Sequence, residues 1–553
     1  MLGALTLAAA FASPSRADDY HISPAGDDAA AGSASAPWRT LDRANRHAYR
    51  PGDRILLDGG AEFAGNLAVA APGSSSDPAR PITIGSFGRG RAVIRAGRGT
   101  AVRIEDLGGV VVRDLVLVGN PGAEGDGFGV LVLHRRPDGA RLEGVRVEGV
   151  EARGFRWAGI YVGGVPTGLP TFRGREGGRA GFHDVRIRHC SALGNMYYGI
   201  YVDGAGKSRA TADYANRDVA IVDCVAAENP GDPRYTENHS GNGILVGDTD
   251  GVLVERCVAH GNGAANAGRT GGPVGIWAYA SNEVTIQSCE SYGNRTGGRA
   301  DGGGFDLDGG VTHSLVQYCY SHDNEGPGFL VWNYEGAPHR LADNVIRYNI
   351  SAGDALKHGY GGISVGSSET PISNLLVHNN TIFARRVSDG KPPCVRIWAR
   401  AGKGLTFVNN LFIIDGGMPS VVCESRGEGV RFAGNAYWAT DGAFVVRQEG
   451  QTFDSPAAWR ATTGQERWRG KDVGVFGDPL LSGLPAEGAA GAGDSLTRLG
   501  PLRLRAGSPL IDAGLDLAPF SGNGPGGRDF WGTPLPREQR VDIGANEFAS
   551  SGR

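Results

Sequence analysis

The chain has 553 residues, a net charge of −4 and 40% hydrophobic residues, with 91 glycines but only 3 methionines. That supplies a large core while leaving strong helix formers scarce, which argues against an all-helical architecture. No basic run or basic face stands out, so nothing supports a nucleic-acid partner.

Residues 1–17 read as an export signal: Leu2 to Phe11 are apolar, and Ser15-Arg16-Ala17 ends as a small-x-small cleavage site. No basic n-region precedes the apolar stretch, which is also too short to span a bilayer. No later segment is long and apolar enough either, so a secreted protein with no membrane partner is expected. Residues 18–98 are read as a cap and first coils. Within them Leu41, Ala44 and Asn45 to His47 predict a short amphipathic helix, placed to cover exposed strand edges at the end of the core. Pro51-Gly52-Asp53 then leads into Ile55, Leu56 and Leu57.

Residues 99–450 repeat. Val185-x-Ile187-x-x-Cys190, Val219-x-Ile221-x-x-Cys224, Val252-x-Val254-x-x-Cys257, Val284-x-Ile286-x-x-Cys289 and Ser314-x-Val316-x-x-Cys319 align without gaps. Asn349, Asn380, Asn410 and Asn435 continue the cysteine column, in steps of 34, 33, 32, 30, 30, 31, 30 and 25 residues from Cys190. A period near thirty marks a solenoid. Apolar residues two apart mark strands, because neighbouring side chains of a strand face opposite ways. A second polar column, Asn195, Asn229, Asn262, Asn294, Asn324 and Asp354, is spaced for side-chain hydrogen bonds between stacked coils. A column shared by Cys and Asn predicts a small buried position and a ladder of free thiols. Residues 451–553 form an extension packing on the solenoid. Ser455-Pro456 opens a predicted helix through Thr463, and a Gly/Ala-rich loop covers about 483 to 498.

Each coil also holds a Gly-led strand. If Ile200, Ile244, Ile276, Phe305, Phe329 and Ile363 point inward, their neighbours point out. The outward columns hold Tyr201 and Asp203, Trp277 and Tyr279, Asp306 and Asp308, and Trp332. Tyr161 extends them upstream and Arg396 downstream. Aromatic faces among carboxylates suit the stacking and hydrogen bonding of sugars, which makes a polysaccharide the expected substrate. Asp306 and Asp308, two apart on one strand, have Cα atoms about 6.5–7 Å apart on one face. Like charges so close separate their pKa values and supply an acid and a base for hydrolysis without a metal. The pair could equally hold calcium with Asp301, acidifying a uronate for β-elimination with Arg396 or Lys357 as base. His322 reads as a turn residue rather than a base.

Three stretches resemble secreted bacterial right-handed parallel β-helix proteins of the pectate-lyase-like superfamily. Tyr20 to Pro24 with Pro37-Trp38 and Pro51-Gly52-Asp53 resembles their cap, and Ser508 to Gly514 with Asp542 to Glu547 their closing motif. Asp301 to Asp308 with Ser321 to Asn324 resembles their central coils. The resemblance implies an all-β, single-stranded right-handed parallel β-helix of about eleven or more coils. It also implies an N-terminal cap helix and an irregular C-terminal tail. Polysaccharide lyase family 9 is a more distant likeness, in which Asp301 would stand for a calcium-binding aspartate. The chain departs from it at Glu325 to Val331, where that family clusters aspartates, and at Gly362 to Val365, which offers no lysine. Two functions follow as alternatives, a monomeric glycan-cleaving enzyme and a non-catalytic glycan-binding or cell-surface protein.

Overall fold

A computed structural model describes residues 17–70, 73–120, 127–136, 140–165, 180–204, 213–386, 390–425, 429–486, 496, 499–520, 526–536 and 540–549. The expected export signal, apart from Ala17, and most of the Gly/Ala-rich loop lie outside them. The described chain winds into a solenoid with three fourteen-stranded sheets, parallel except where the strand Gln451–Phe453 turns back. Each winding contributes one strand to each sheet, as in Gly181–Arg188, Ser191–Leu193 and Tyr198–Asp203. Among the described residues no helix is long and apolar enough to cross a membrane.

The strand repeat follows from the alternation. Val185, Val219 and Val252 are in register on successive windings, as are Ile187, Ile221 and Val254, and all six lie in one continuous core. The chain turns sharply between sheets at residues with positive φ, such as Asp223, Ser288 and Asn379, just before the Cys and Asn column. All seven cysteines are free and buried.

The polar columns form two buried files of hydrogen bonds. Asn229 Nδ2 donates to Asn262 Oδ1 (2.7 Å), Asn262 to Asn294 (2.9 Å), Asn294 to Asn324 (2.9 Å) and Asn324 to Asp354 (2.7 Å). The second file runs Asn349, Asn380, Asn410 and Asn435, at 3.0, 2.9 and 2.9 Å, and ends on Glu466 at 2.8 Å. Both files therefore end on a carboxyl group. Burial raises Asp354 to about 6 and Glu466 to about 7, partly offset by the hydrogen bonds each accepts.

Two short helices lie at the ends. Thr40 caps Leu41–Asn45, whose Leu41 and Ala44 are buried at the entrance to the core. Ser455 caps Pro456–Thr463, and Trp459 plugs the far end against Phe432 and Tyr437. The tail then folds back along the third sheet. Leu504, Leu510, Phe530 and Ile543 cover the outward side chains Ile350, Phe383, Leu411 and Ile413. Its closing motif is pinned by Asn379 Nδ2 to Asp542 O (2.8 Å) and Ala545 N to Thr381 Oγ1 (2.9 Å).

Burial, then the mutual repulsion of nearby acids, raises Asp542 to about 6 and Glu547 to about 8. Groups raised in the folded state stabilise it fully below their unfolded values, and that contribution is lost as pH rises through the folded ones. Tail docking should therefore weaken from the ordinary glutamate range up to about pH 8. Glu547→Gln should flatten this dependence. Hydrogen exchange across residues 499–549 at about pH 5 and about pH 8 checks it.

Candidate active site

Six strands of the second sheet form the floor of the site: Tyr198–Asp203, Asn242–Gly247, Val274–Tyr279, Gly303–Asp308, Phe329–Asn333 and Ile363–Ser367. Ile200, Ile244, Ile276, Phe305, Phe329 and Ile363 point into the core, as the alternation predicts. Tyr201, Leu245, Trp277, Asp306 and Leu330 follow one another in register on the outer face. Above them lies a cavity of about 1040 Å³. It gathers Tyr201, Trp277, Tyr279, Asp301, Asp306, Asp308 and Trp332, seven of the eleven candidate site residues read from the sequence.

One wall is a stack of loops tied winding to winding. Ser240 N donates to Asn266 Oδ1 (3.0 Å), Asn266 Nδ2 to Thr296 Oγ1 (3.2 Å) and Thr296 N to Glu325 Oε2 (2.9 Å). Lys357 closes the chain on Glu325 at 2.8 Å. Tyr334, Glu335 and Ser368 line the cavity from the opposite end of the floor strands. The face is thus a walled cavity rather than the open flank that the strand pattern alone suggests, so Tyr201 and Trp277 are only 6% and 5% exposed although they point outward.

The room in the middle depends on two glycines. Gly247 is paired with Tyr279, and a Cβ there would run into the Tyr279 ring. Gly366 is paired with Trp332, and a Cβ there would strike the indole. Tyr279 therefore leans toward the preceding winding and Trp332 toward the following one. The winding between them carries Asp306 and Asp308, and neither ring lies over it. Gly366→Ala should push the Trp332 indole off its seat and shift the protein's tryptophan emission, with the fold retained. Emission identical to that of the parent protein would show that the ring does not depend on this glycine.

The three acids differ in their surroundings. Asp301, at φ 57°, receives Tyr360 Oη on Oδ1 (3.0 Å) and Gly272 N on Oδ2 (2.7 Å). Asp306 is 4% exposed, and its Oδ1 has no hydrogen-bond partner. Burial, then Asp308 and Asp301, hold its carboxyl well above the ordinary aspartate range. Asp308 is also raised by burial, but Gly309 N donates to its Oδ1 (2.8 Å) and opposes the shift. Asp306 is thus the better proton holder and Asp308 the better carboxylate.

Several expectations need correction. Tyr161 is fully buried, donates to Gly164 O (2.7 Å) and packs edge-on under Tyr201, so it offers no sugar platform. Asp203 is 1% exposed and supports the lining from behind, accepting Tyr201 Oη (2.6 Å) and Tyr279 Oη (2.9 Å). Arg396 lies three windings from Asp306 and pairs with Glu424 at 2.6 Å, out of reach of the acids. Lys357 is spent on Glu325. His322 ends a strand rather than occupying a turn. It stacks on Tyr292 and Tyr320 and bonds Asp323 (2.7 Å) and Glu290 (3.2 Å), on a different sheet from the site. The calcium set does not form either. Among the described residues no three His, Cys, Asp or Glu side chains converge as metal ligands, and each oxygen of Asp301 accepts a hydrogen bond, from Tyr360 Oη and Gly272 N. Asp301, Asp306 and Asp308 share the cavity without sharing a point. Sequence reasoning missed Tyr360 and the loop residues Glu237 and His239, because loops carry no period to place them.

Residues 177–412 match the family model described as right handed beta helix region. Two solved structures of GH136 lacto-N-biosidase from Eubacterium ramulus, the selenomethionine derivative and the native protein, align at 20% and 21% identity with TM-scores of 0.52 and 0.50. Each alignment covers 71% of this chain, and 66% and 67% of theirs, so the chain spans about two thirds of the length of those proteins. A complex of XylC with xylose aligns over 97% of this chain and 99% of that one, at 12% identity and a TM-score of 0.48. No curated protein matches the chain. In its fold, the chain is a right-handed parallel β-helix.

Proposed function

We propose that this protein hydrolyses glycosidic bonds of a glycan held in the walled cavity of the second sheet. One observation carries the reading: Asp306 and Asp308 lie together on one strand of the cavity floor, on the winding between two aromatic rings that lean away from it. Asp306 keeps its proton and delivers it to the departing glycosidic oxygen. Asp308, ionised, either attacks the anomeric carbon or draws a proton from an attacking water. The two choices give retention or inversion. Trp277, Tyr279 and Trp332 offer ring faces and edges to the sugars on either side. The same fold carries a lacto-N-biosidase.

Elimination from a uronate fits less well. It needs a cation to acidify the sugar and a free base, and here the trio of acids does not converge while Lys357 and Arg396 are each ion-paired. The test is a screen of neutral and acidic oligosaccharides with and without chelator. New reducing ends that are insensitive to chelator and lost in Asp308→Asn support hydrolysis. Products carrying the ultraviolet absorbance of an unsaturated uronate overturn it. Glycan binding with no turnover by the parent protein would instead favour a non-catalytic role.

A further inference from the structure

His239 lies in the loop wall of the cavity, and its hydrogen bonds leave one protonation pattern. Asn242 Oδ1 accepts from Trp277 Nε1 (3.2 Å) and from Val274 N (3.3 Å). An indole N–H and a backbone N–H can only donate, so the amide cannot be flipped and its oxygen faces them. Its nitrogen is then the atom 2.9 Å from His239 Nδ1, and Asn242 Nδ2 must donate there. Nδ1 is a lone-pair acceptor, which places the ring proton on Nε2. A second proton on Nδ1 would set two donors against each other. Among the described residues Nε2 has no hydrogen-bond partner, while the ring lines the cavity and meets Trp277 edge-on at 5.2 Å between centroids.

We propose that His239 is a binding residue for an uncharged glycan, presenting a neutral Nε2–H donor that the Trp277–Asn242 chain holds in place. This rests on the reading of the cavity as a glycan-cleaving site. The charge of the lining agrees with it. Glu237, Asp301, Asp306, Asp308 and Glu335 all face the cavity, and no Lys or Arg lines it among the described residues. A sugar carboxylate entering there would meet these acids, of which burial already makes Asp301, Asp306 and Asp308 hard to ionise. A hydroxyl, ring oxygen or acetamido carbonyl needs only a neutral donor. The titratable groups that share the cavity lining with the imidazole include Glu237 on its own loop, Tyr198, which meets the ring edge-on, and the three aspartates, while Arg269 on the next loop is tied by its backbone to Thr236. Burial dominates, holding the ring down to about 4, so the donor persists through the neutral range. The tautomer was invisible to sequence reasoning because it depends on three residues, 239, 242 and 277, that meet only through the winding.

The tautomer can be read without ligand, by nitrogen-15 NMR of the histidine ring in the full chain. The expected signature is protonated Nε2 and bare Nδ1, unchanged from about pH 5 to about pH 8. Asn242→Asp should reverse it, because a carboxylate accepts from Nδ1–H, and should bring the ring's titration into that range. His239→Ala should weaken binding of cello-, xylo- or N-acetylhexosamine oligosaccharides about tenfold, the value of one hydrogen bond. His239→Gln, which keeps a donor, should recover part of the loss. Protonated Nδ1 in the parent protein, or oligogalacturonates binding where the neutral set does not, overturns the proposal. Turnover that survives in Asp306→Asn sinks the hydrolytic reading instead and leaves the tautomer result standing.

Discussion

Asp306→Asn is expected to lower kcat by about 10²–10⁴-fold, the usual contribution of a positioned acid, while glycan binding survives. Asn matches the carboxyl in shape but has no acidic proton to give. The pH profile separates this from a structural defect. In the parent protein, activity should fall in acid as Asp308 gains a proton and in base as Asp306 loses its own. The basic limb lies above the ordinary aspartate range because burial, then Asp308 and Asp301, raise Asp306. Stability should move the other way from activity. The folded chain holds this proton more tightly than the unfolded chain, so the stabilisation is complete below the unfolded value of 3.8 and is lost as pH rises through the raised one. Asn carries no such penalty. Asp306→Asn should therefore melt higher than the parent near neutrality and lose that advantage in acid. A variant that melts lower at every pH, with binding gone, would mean that Asp306 serves the fold and not the reaction.

The second large effect concerns the core. Asn294→Ala should destabilise the solenoid by about 2–6 kcal/mol, because two buried donors lose their acceptor at about 1–3 kcal/mol each. These are Asn262 Nδ2 at 2.9 Å and Asn262 N at 3.2 Å. The file is closed to bulk solvent, since Asn262 and Asn324 are fully buried and Asn294 is 1% exposed. Cys257→Ser, in the neighbouring thiol column, should cost much less. Its Sγ makes only weak bonds to Ile221 O and Glu255 O, both at 3.4 Å, which a hydroxyl can replace. Denaturant midpoints for the two variants give the comparison. Equal losses would mean that packing volume, not hydrogen bonding, sets the cost along the turns.

The repeat was legible because a strand's two-residue alternation and a thirty-residue period are properties of the chain itself. Val185, Ile187 and Cys190 announce the winding, and Asn195 to Asp354 announce a file of amides before any coordinates exist. Ser455-Pro456 announced the closing helix for the same local reason. The site was legible only along the strands. Asp306, Asp308, Trp277, Tyr279 and Trp332 were found because period two told outward from inward. Tyr161 satisfies the same rule yet is buried, since whether an outward residue meets solvent depends on what covers it. Arg396 and Lys357 were misjudged for a related reason: Glu424 and Glu325 claim them from other windings, and the sequence does not announce such partners. His239 and Tyr360 sit on loops whose course is set by neighbouring loops.

The carboxyl ends of the two amide files bear on how such a molecule can change size. Every amide both gives and takes, so a further turn inserted ahead of Asp354 or Glu466 meets identical neighbours above and below. An ionised acid only takes, and a turn added just beyond it finds no amide to continue the file. Each file can therefore lengthen only on the amino-terminal side of its own acid, and turns added to the first file ahead of Asn229 would carry Tyr161 and its surroundings outward. Residues 301 to 360, with the reacting pair, would stay where they are.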